Sequence, residues 1–431
     1  MDALGSSGAN EMVAIGRAAG QVSTGSQAVL IGSHASWASY NNDKTVSIGY
    51  YAGFTSSNAE ECVNIGAQAG KANTADYGVH IGSEAGFSNT SGTKNTNVGY
   101  QAGYSNTTQG NRTCIGYEAG KSNTGMSNTF IGQAAGKASS AGQMNVVIGS
   151  NCMAFGALGN FNVGIGHQTA QSSTGANNTM IGYQTAQYHT SGSNNTNIGM
   201  EAARNTTTGN DNTTVGYRAL NSETTGQRNT AIGMQALFAQ NQTFAAGNTA
   251  VGYKADDANT TGFQRTCIGS ETGAVGAGPT GQNITNIGYS AQESSATASN
   301  EVTLGNSSVA TLRCQVTSIT SLSDQRDKTD IADFTKGLDW INALRPVTYR
   351  WDRRTWYGTD EDPYGTPDGS KKRARLHVGF LAQEALAVEQ ANGYGTSNDD
   401  SLILNLTDDG MSYGMKYERL VPVLVNAIKE L

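Results

Sequence analysis

The chain has 431 residues and a formal net charge of −7; only 14% of its residues are charged, and 55 are glycine. It has no basic patch that would favour nucleic acid as a partner and no run of about 18 apolar residues that would insert into a membrane. The N-terminus, MDALGSSGANE, lacks the basic and apolar regions of a secretion signal. Five scattered cysteines without a CxxC pair predict neither disulfides nor a metal site, and fit a reducing cytoplasm.

The composition changes towards the C-terminus. Residues 323–431 contain 14 of the 27 Lys and Arg residues and 18 of the 34 Asp and Glu residues. Four of the five prolines and three of the four tryptophans also lie there. This shift predicts a repeat domain at 1–307, a junction at 308–322 and a separate domain at 323–431.

A short phrase recurs throughout the first 307 residues: an apolar residue, here called the anchor, followed by glycine. The anchors are Ile15, Ile31, Ile48, Ile65, Ile81, Val98, Ile115, Ile131, Ile148, Ile165, Ile181, Ile198, Val215, Ile232, Val251, Ile268, Ile287 and Leu304. Successive anchors are 16 or 17 residues apart, with two intervals of 19. A fixed short period with an apolar anchor predicts a solenoid of about 18 rungs.

The residue two positions before each anchor is Val or Thr, whereas the residue between varies freely, as in Leu30, Asn64 and Phe130. Alternation with period 2 predicts a β-strand with one buried face. We expect the Val or Thr, the anchor and an alanine four positions after it to face inward. Each rung is then a coil of two strands and two turns, and rungs stacked at ~4.8 Å extend the solenoid roughly 80 Å.

Glycine follows every anchor, which indicates either a positive φ or the close approach of another backbone. A second glycine, six positions before many anchors, usually follows Thr or Ser and is typical of a turn into the next strand. A coil this small buries little apolar surface alone. We therefore expect three chains to pack together as a homotrimer.

Two further columns of residues follow the period. Asparagine lies three positions before the anchor in eight consecutive rungs, from Asn128 to Asn248, and predicts a hydrogen-bonded amide ladder. Tyrosine lies two positions after seven anchors, for example Tyr50 and Tyr183. These rings fit packing between subunits, and stacking on sugars is the alternative.

The repeats contain no catalytic constellation, and we expect neither a metal nor a cofactor. The histidines stand apart from one another in the sequence. Glu60-Glu61 and Asp256-Asp257 are adjacent carboxylates, and neighbours on a strand point in opposite directions. They are therefore poorly placed to flank one glycosidic bond, although a site shared between chains stays open.

The C-terminal residues carry a different set of motifs. They include S-D-x-R-x-K-x-x-I from Ser323, P-V-x-Y-x-W from Pro346 and G-x-x-A-Q from Gly379 to Gln383. The pattern predicts helices near 335–344, 381–391 and 416–431, with strands near 346–351, 376–380 and 402–406. Apolar spacing in the last helix, from Leu420 to Leu431, suits helix association.

The repeats resemble the heads of trimeric adhesins and many phage tail fibres, in which such phrases form a left-handed parallel β-roll. The C-terminal motifs, in the same order, resemble the intramolecular chaperone of endosialidases and phage tail fibres, the S74 peptidase family. The resemblances imply a mainly β fold: a trimeric parallel β-roll or β-helix solenoid followed by a small α+β chaperone domain.

The second resemblance also implies a reaction. The chaperone drives trimerisation and is then released by a serine–lysine dyad, here Ser323 as nucleophile and Lys328 as base, at the Leu322–Ser323 bond. Asp324, Arg326, Gly379 and Gln383 belong to the matching motifs. A lysine acts as base only when burial or neighbouring cations lower its pKa, and Arg326 is a candidate neighbour. The alternative is that Ser323-Asp324 only caps a turn.

These observations predict a homotrimeric, receptor-binding tail fibre of a phage particle, assembled in the host cytoplasm. Its only enzymatic activity is one self-cleavage per chain. Its expected partners are a host cell-surface glycan or protein and other tail or baseplate subunits, but not nucleic acid. Two alternatives stay open: a tailspike enzyme that degrades polysaccharide, and a bacterial surface adhesin.

Overall fold

The computed structural model forms two compact units, residues 1–305 and residues 306–431, called here the solenoid unit and the C-terminal unit. The described residues are 11–41, 43–273, 278–309, 311–313, 315, 323–359, 364–406 and 412–431. In this part of the chain, no helix combines the length and apolar character that crossing a bilayer requires.

The described part of the solenoid unit contains 18 short strands, one for each anchor. Strands β1 to β18 are Val13–Ile15, Val29–Ile31, Val46–Ile48, Val63–Ile65, Val79–Ile81, Thr96–Val98, Thr113–Ile115, Thr129–Ile131, Val146–Ile148, Val163–Ile165, Thr179–Ile181, Thr196–Ile198, Thr213–Val215, Thr230–Ile232, Thr249–Val251, Thr266–Ile268, Ile284–Ile287 and Glu301–Leu304. Each pairs in parallel with the next along the chain, and anchor lies beside anchor, as in Ile165↔Ile181. The predicted parallel β-solenoid is confirmed.

Within the described residues each rung has one strand, so the predicted second strand is wrong. The rest of the rung is turn, because the third residue after the anchor adopts a left-handed conformation, for example Gln68 at φ +58° and Glu118 at φ +53°. The turn backbone still bonds to the neighbouring rung: Gln68 N–H donates to the Tyr50 carbonyl at 2.7 Å. Successive rungs are therefore held together around the coil even where no strand exists.

The strand faces are opposite to the sequence prediction. The central residue is buried in every strand from β2 to β16, whether it is Leu30, Asn64 or Phe130. The Val or Thr before it and the anchor after it are half-buried or exposed in the single chain; Ile81 and Ile268 are 36% and 40% exposed. The predicted alanine four positions after the anchor is buried, as expected, in Ala35, Ala52 and many others.

Side-chain volumes inside the coil compensate one another, which explains why the buried central residue varies. Phe130 fits because Gly120 leaves room beside it: a Cβ on Gly120 would lie 2.7 Å from the Phe130 ring. Where the strand centre is small, as in Ala231 and Ala250, Leu220 and Leu237 enter from the turns into the same cluster. Different residue pairs thus fill the core in different rungs.

The glycine after each anchor has both properties predicted for it. Gly199, for example, has φ +133°, and a Cβ placed there would lie 2.5 Å from the carbonyl oxygen of Gly216 in the next rung. The close backbone belongs to the next rung of the same chain.

We predict that Gly199→Ala lowers the thermal midpoint strongly or prevents folding, because a methyl group there meets a backbone carbonyl that has no room to move. The control is Gly247→Ala, which has φ +60° and nothing within 4 Å of the added Cβ. Its expected cost is only ~1 kcal/mol, from the left-handed backbone alone. Equal midpoints for the two variants would contradict the account of rung stacking.

The asparagines three positions before the anchors, here called the amide column, form the predicted ladder inside the coil. Asn145 donates from its backbone N–H and from Nδ2 to Asn128 Oδ1, at 2.9 and 3.1 Å, and the backbone contact continues from rung to rung to Asn248. Asn195 Nδ2 also donates to the Gly209 carbonyl at 2.8 Å. The bonds repeat only when neighbouring rungs are aligned, so the ladder fixes the register.

Buried polar residues eight positions after the anchors, here called the facing column, lie across the interior from the amide column. They include Ser23, Ser39, Ser56, Asn73, Asn89, Asn106, Asn123, Ser139, Ser173, His189, Thr206, Glu223, Gln240 and Asn259. Asn128 Nδ2 donates to Asn123 Oδ1 at 3.1 Å, which links the two columns. The interior of the solenoid is therefore largely polar, and its polar groups mostly bond to one another.

Two histidines are enclosed in this interior. His80 Nδ1 contacts Asn97 Nδ2 at 3.0 Å, and His189 Nδ1 contacts Ser173 Oγ at 3.1 Å. Among the described residues neither Nε2 atom has a partner. Burial lowers the pKa of each histidine to about 4, because the charged imidazolium would lose its hydration.

We predict that acid destabilises the solenoid through these histidines. An unfolded histidine has a pKa near 6.5 and binds a proton before the folded one, so stability falls as pH falls from about 7 to 4. The loss is on the order of 3 kcal/mol per histidine at pH 4, from ~1.4 kcal/mol per pH unit.

The matched variant is His80→Asn with His189→Ser, since Asn64 and Ser173 occupy equivalent positions in neighbouring rungs. Urea unfolding at pH 7 and pH 4.5 should show a smaller loss in this variant than in the wild type. An identical loss in both proteins would show that the histidines do not control the acid response.

The C-terminal unit contains short helices and strands around a small apolar core. Helices α1 to α3 are Leu338–Ala343, Ala382–Ala391 and Leu420–Glu430; strands β19 to β22 are Val347–Tyr349, His377–Gly379, Leu404–Leu406 and Tyr413–Met415; 3₁₀ helices are Gln325–Asp327, Arg354–Trp356 and Tyr417–Arg419. Strands β19 and β20 pair antiparallel, as do β21 and β22. The predicted helices and strands are thus confirmed, with shorter bounds.

The last helix, α3, has one face in this core and another in solvent. Leu420 and Val423 are buried and pack in the cluster around Trp340. Val421, Leu424, Val425, Ile428 and Leu431 are exposed in the single chain. The apolar spacing seen in the sequence therefore serves two surfaces: the core of the unit and an uncovered apolar face.

Candidate active site

In the C-terminal unit, the segment that begins at residue 323 brings a serine and a lysine together. The 3₁₀ helix Gln325–Asp327 lies between Ser323 and Lys328 and turns the chain back on itself. Lys328 Nζ lies 2.6 Å from Ser323 Oγ, and both residues are exposed in the single chain. The five-residue spacing would place the two side chains far apart in a strand, so their contact depends on this turn.

The residue between them, Asp324, holds the turn in shape. Its carboxylate accepts from the backbone N–H of Arg326 at 2.9 Å, which caps the 3₁₀ helix. The Arg326 guanidinium donates to the same carboxylate at 2.6 Å from Nη2. This contact lowers the pKa of Asp324 below its usual value. Asp324 therefore caps a turn, as in the alternative interpretation of Ser323-Asp324. The capped turn is also the one that brings Ser323 and Lys328 together.

The ion pair changes the role expected of Arg326. We had considered its positive charge as the influence that helps Lys328 lose a proton. The charge is balanced by Asp324, so in the single chain Arg326 is not a free cation.

The other two motif residues lie elsewhere in the unit. Gly379 ends β20 opposite Val347, and a Cβ there would lie 2.5 Å from the Tyr417 hydroxyl oxygen. That hydroxyl accepts from the Phe380 N–H at 3.2 Å, so Gly379 permits the contact that joins β20 to the last helical segment. Gln383, in the first turn of α2, is exposed. No hydrogen bond in the described ranges joins either residue to Ser323 or Lys328.

Gln383 lines an open cavity of about 780 Å³ in the C-terminal unit. Aromatic residues Tyr349, Trp351 and Tyr417 form much of its wall, together with Arg350. The cavity does not include Ser323 or Lys328, so the motif residues form a structural group and a separate serine–lysine group. Leu322, the other residue of the predicted scissile bond, lies outside the described residues.

The carboxylate pairs of the solenoid unit are in turns, so our argument from strand geometry does not apply to them. Glu60 and Glu61 are both exposed, and Glu61 pairs with Lys44 at 3.0 Å. Asp256 is buried and bonded to Arg265, whereas its neighbour Asp257 is half-buried. In the described part of the chain, no three His, Cys, Asp or Glu residues are grouped closely enough to bind a metal.

Sequence analysis missed the buried charges of the solenoid unit. Arg112 and Arg265 occupy the amide column at the two ends of the eight-asparagine run, and both are about 1% exposed. Each begins the same phrase, Arg-Thr-Cys-Ile-Gly. An arginine in a column that otherwise holds asparagine was the signal available in the sequence.

Comparison with known families assigns the C-terminal region. Residues 323–394 match the family described as chaperone of endosialidase, Peptidase_S74. The chain therefore carries a chaperone-of-endosialidase domain that follows a parallel β-solenoid, an arrangement that fits a tail fibre with a C-terminal chaperone. Neither the curated proteins nor the solved structures provide a significant match to the chain.

Proposed function

We propose that the protein is a homotrimeric phage tail fibre whose C-terminal domain drives assembly and is then released by cleavage between Leu322 and Ser323. The observation that carries the proposal is the position of the family match. It begins at Ser323, the residue whose hydroxyl lies 2.6 Å from Lys328 Nζ, and it follows the end of the solenoid unit. A chaperone domain at this place supports trimerisation of the preceding β-structure.

The outward strand residues support a trimer. The anchor of each rung and the Val or Thr two positions before it form a strip, called here the anchor strip, along the length of the solenoid unit, and the anchors make one apolar column within it. It includes Ile15, Ile81, Ile115, Ile198, Ile232, Ile268, Ile287 and Leu304, which are at least 36% exposed in the single chain. A continuous apolar surface of this kind on a soluble protein is typical of an interface. Identical rungs in three chains allow the strips to pack together around one axis.

The exposed face of α3 supports a second contact between copies. Val421, Leu424 and Ile428 follow helical spacing and are uncovered in the single chain. Association through this face brings three chains together at one end before the solenoid units pair. Long-range β-assembly is slow and sensitive to register, so an early contact at one end lowers the cost of alignment.

The cleavage chemistry requires that Lys328 first be neutral. Ser323 Oγ then attacks the Leu322 carbonyl carbon, and its proton passes to Lys328. The C–N bond breaks, Lys328 returns the proton to the departing Ser323 nitrogen, and an ester joins Leu322 to Ser323 Oγ. Water hydrolyses this ester to a Leu322 carboxylate and a free Ser323.

Coupling between assembly and cleavage follows from the exposure of the pair. In the single chain both side chains are exposed to solvent. Packing of three chains removes water from the pair and favours the neutral amine. Cleavage then follows assembly, and loss of the domain leaves a fibre that cannot readily refold.

The mature fibre on the virion then binds a host cell-surface glycan or protein and attaches to other tail or baseplate subunits. The tyrosines two positions after the anchors support a surface role, because Tyr50, Tyr183 and Tyr289 are 46–63% exposed. Tyr100 and Tyr117 stack with ring centroids 5.3 Å apart. Such rings suit both subunit packing and stacking on sugars.

We predict that Ser323→Ala yields one full-length chain on a denaturing gel, because the nucleophilic oxygen is lost, whereas trimers still form. Lys328→Met should have the same effect because it removes the proton acceptor. The control, Thr329→Ala, removes an exposed hydroxyl next to Lys328 and should leave cleavage unchanged. Intact mass should give fragments 1–322 and 323–431 for the wild type. Cutting at the same bond in Ser323→Ala would refute the assignment.

We also predict that Ile198→Lys with Ile232→Lys abolishes the trimer. Both side chains are partly exposed in the single chain, at 36% and 38%, so lysine reaches solvent there but places charge inside a trimer. Met126→Lys with Met144→Lys, at positions 39% and 50% exposed outside the anchor strip, is the control. Light scattering should show trimers for the control and none for the anchor-strip variant; trimers at wild-type yield in both would contradict the interface.

A further inference from the structure

Arg112 places a positive charge in the interior of the solenoid unit. It occupies the amide column between Asn95 and Asn128, and its backbone N–H donates to Asn95 Oδ1 at 3.2 Å. Only 1% of its surface is exposed. The guanidinium keeps its charge under all ordinary conditions, so this charge must be balanced where it lies.

The contacts of Arg112 do not balance it. Nη2 lies 3.6 Å from Cys114 Sγ and 3.4 Å from the Gly120 carbonyl oxygen. Nε and Nη1 have no hydrogen-bond partner, and no carboxylate forms an ion pair with Arg112 among the residues that the structure describes. Burial raises the pKa of the Cys114 thiol, so this neighbour stays uncharged.

Arg265 shows how the charge of an arginine in the same column is balanced elsewhere in the chain. It occupies the amide column at the other end of the asparagine run, and it precedes Cys267 as Arg112 precedes Cys114. Its guanidinium bonds to Asp256 at 2.7 Å and to Glu293 at 2.8 Å, and both carboxylates are buried. One arginine thus has two buried carboxylates and the other has none in the described part of the chain, although the surrounding phrase is the same.

We infer that a small monovalent anion, such as chloride, binds inside the solenoid unit against the guanidinium of Arg112, at Nη1, whose two N–H groups have no partner. An unpaired buried charge costs several kcal/mol, and an anion that accepts from Nη1 lowers this cost by balancing the charge. Ala102 and Ala119 are fully buried in the cluster that also contains Cys114, so an anion at Arg112 lies away from solvent.

The adjoining polar atoms are consistent with a further ligand at this place. Asn97 occupies the strand centre in the rung before that of Cys114. Asn106 occupies the facing column in the rung before that of Asn123. The Oδ1 atoms of Asn97 and Asn106 are also buried without a partner in the described part of the chain. A flip of the Asn97 amide can turn an N–H towards an anion, because Asn97 Nδ2 contacts a ring nitrogen, His80 Nδ1, that can donate as well as accept. Asn106 keeps its orientation, because its Nδ2 donates to Asn89 Oδ1 and to the Gln109 carbonyl.

The test uses the full-length protein, purified, desalted into sodium gluconate and then denatured. Ion chromatography should detect about one chloride released per chain if the anion is trapped in the fold. If the anion exchanges, the thermal midpoint should instead rise with the logarithm of sodium chloride concentration at constant ionic strength, with gluconate as the replacement.

The decisive variant is Arg112→Asn, which restores the residue found in neighbouring rungs and should abolish whichever signal the wild type gives. Arg228→Asn removes an exposed arginine and should preserve it. If Arg112→Asn fails to fold, Arg112→Gln takes its place. A wild type with neither chloride release nor halide dependence would overturn the inference and leave only buried water at Arg112. A signal that persists in the variant would also overturn it, because the anion would then lie elsewhere.

Discussion

A coil of 16 or 17 residues has room inside for only one side chain of each three-residue strand, and this limit determines the rest of the structure. The central residue points inward, so the β-branched residues on either side must point outward. Repeated over 18 strands, the outward pairs form the anchor strip. A single chain cannot bury this strip itself. The proposal that other copies cover the strip therefore rests on the width of the coil.

The narrow interior is polar as well as small. The amide column and the facing column bond to one another and to backbone carbonyls, and these bonds depend on exact alignment of neighbouring rungs. Such a core specifies register better than an apolar one, because a slipped rung leaves buried amides unpaired. It adds little apolar burial, however, so the solenoid depends more heavily on its outer contacts than a protein with a large hydrophobic core does.

Much of the fold could be predicted from the sequence. The interval between anchors predicted the rungs, and the glycine after each anchor predicted a positive φ. The recurring asparagines from Asn128 to Asn248 predicted the hydrogen-bonded ladder. Which face of each strand is buried could not be predicted. Alternation shows that the two faces differ, but it does not show which face lies inside the coil. Constant residues usually mark a core. Here the interior varies instead, since Phe130 is accommodated by Gly120 and small strand centres are filled by Leu220 or Leu237.

The candidate site was also predicted only in part. The family motif identified Ser323 and Lys328, but their contact depends on a 3₁₀ turn capped by Asp324, and the pairing of Arg326 with Asp324 was not foreseen. Buried Arg112 and Arg265 were missed because charged residues are rarely expected inside so thin a coil.

The most direct test of the central claim, that the anchor strip is covered by other copies, is the molar mass of the purified protein in solution. Light scattering after size-exclusion chromatography, repeated over a hundredfold dilution, should give three chains at every concentration. A folded species with the mass of one chain, stable on dilution, would show that the coil supports itself and would contradict the account.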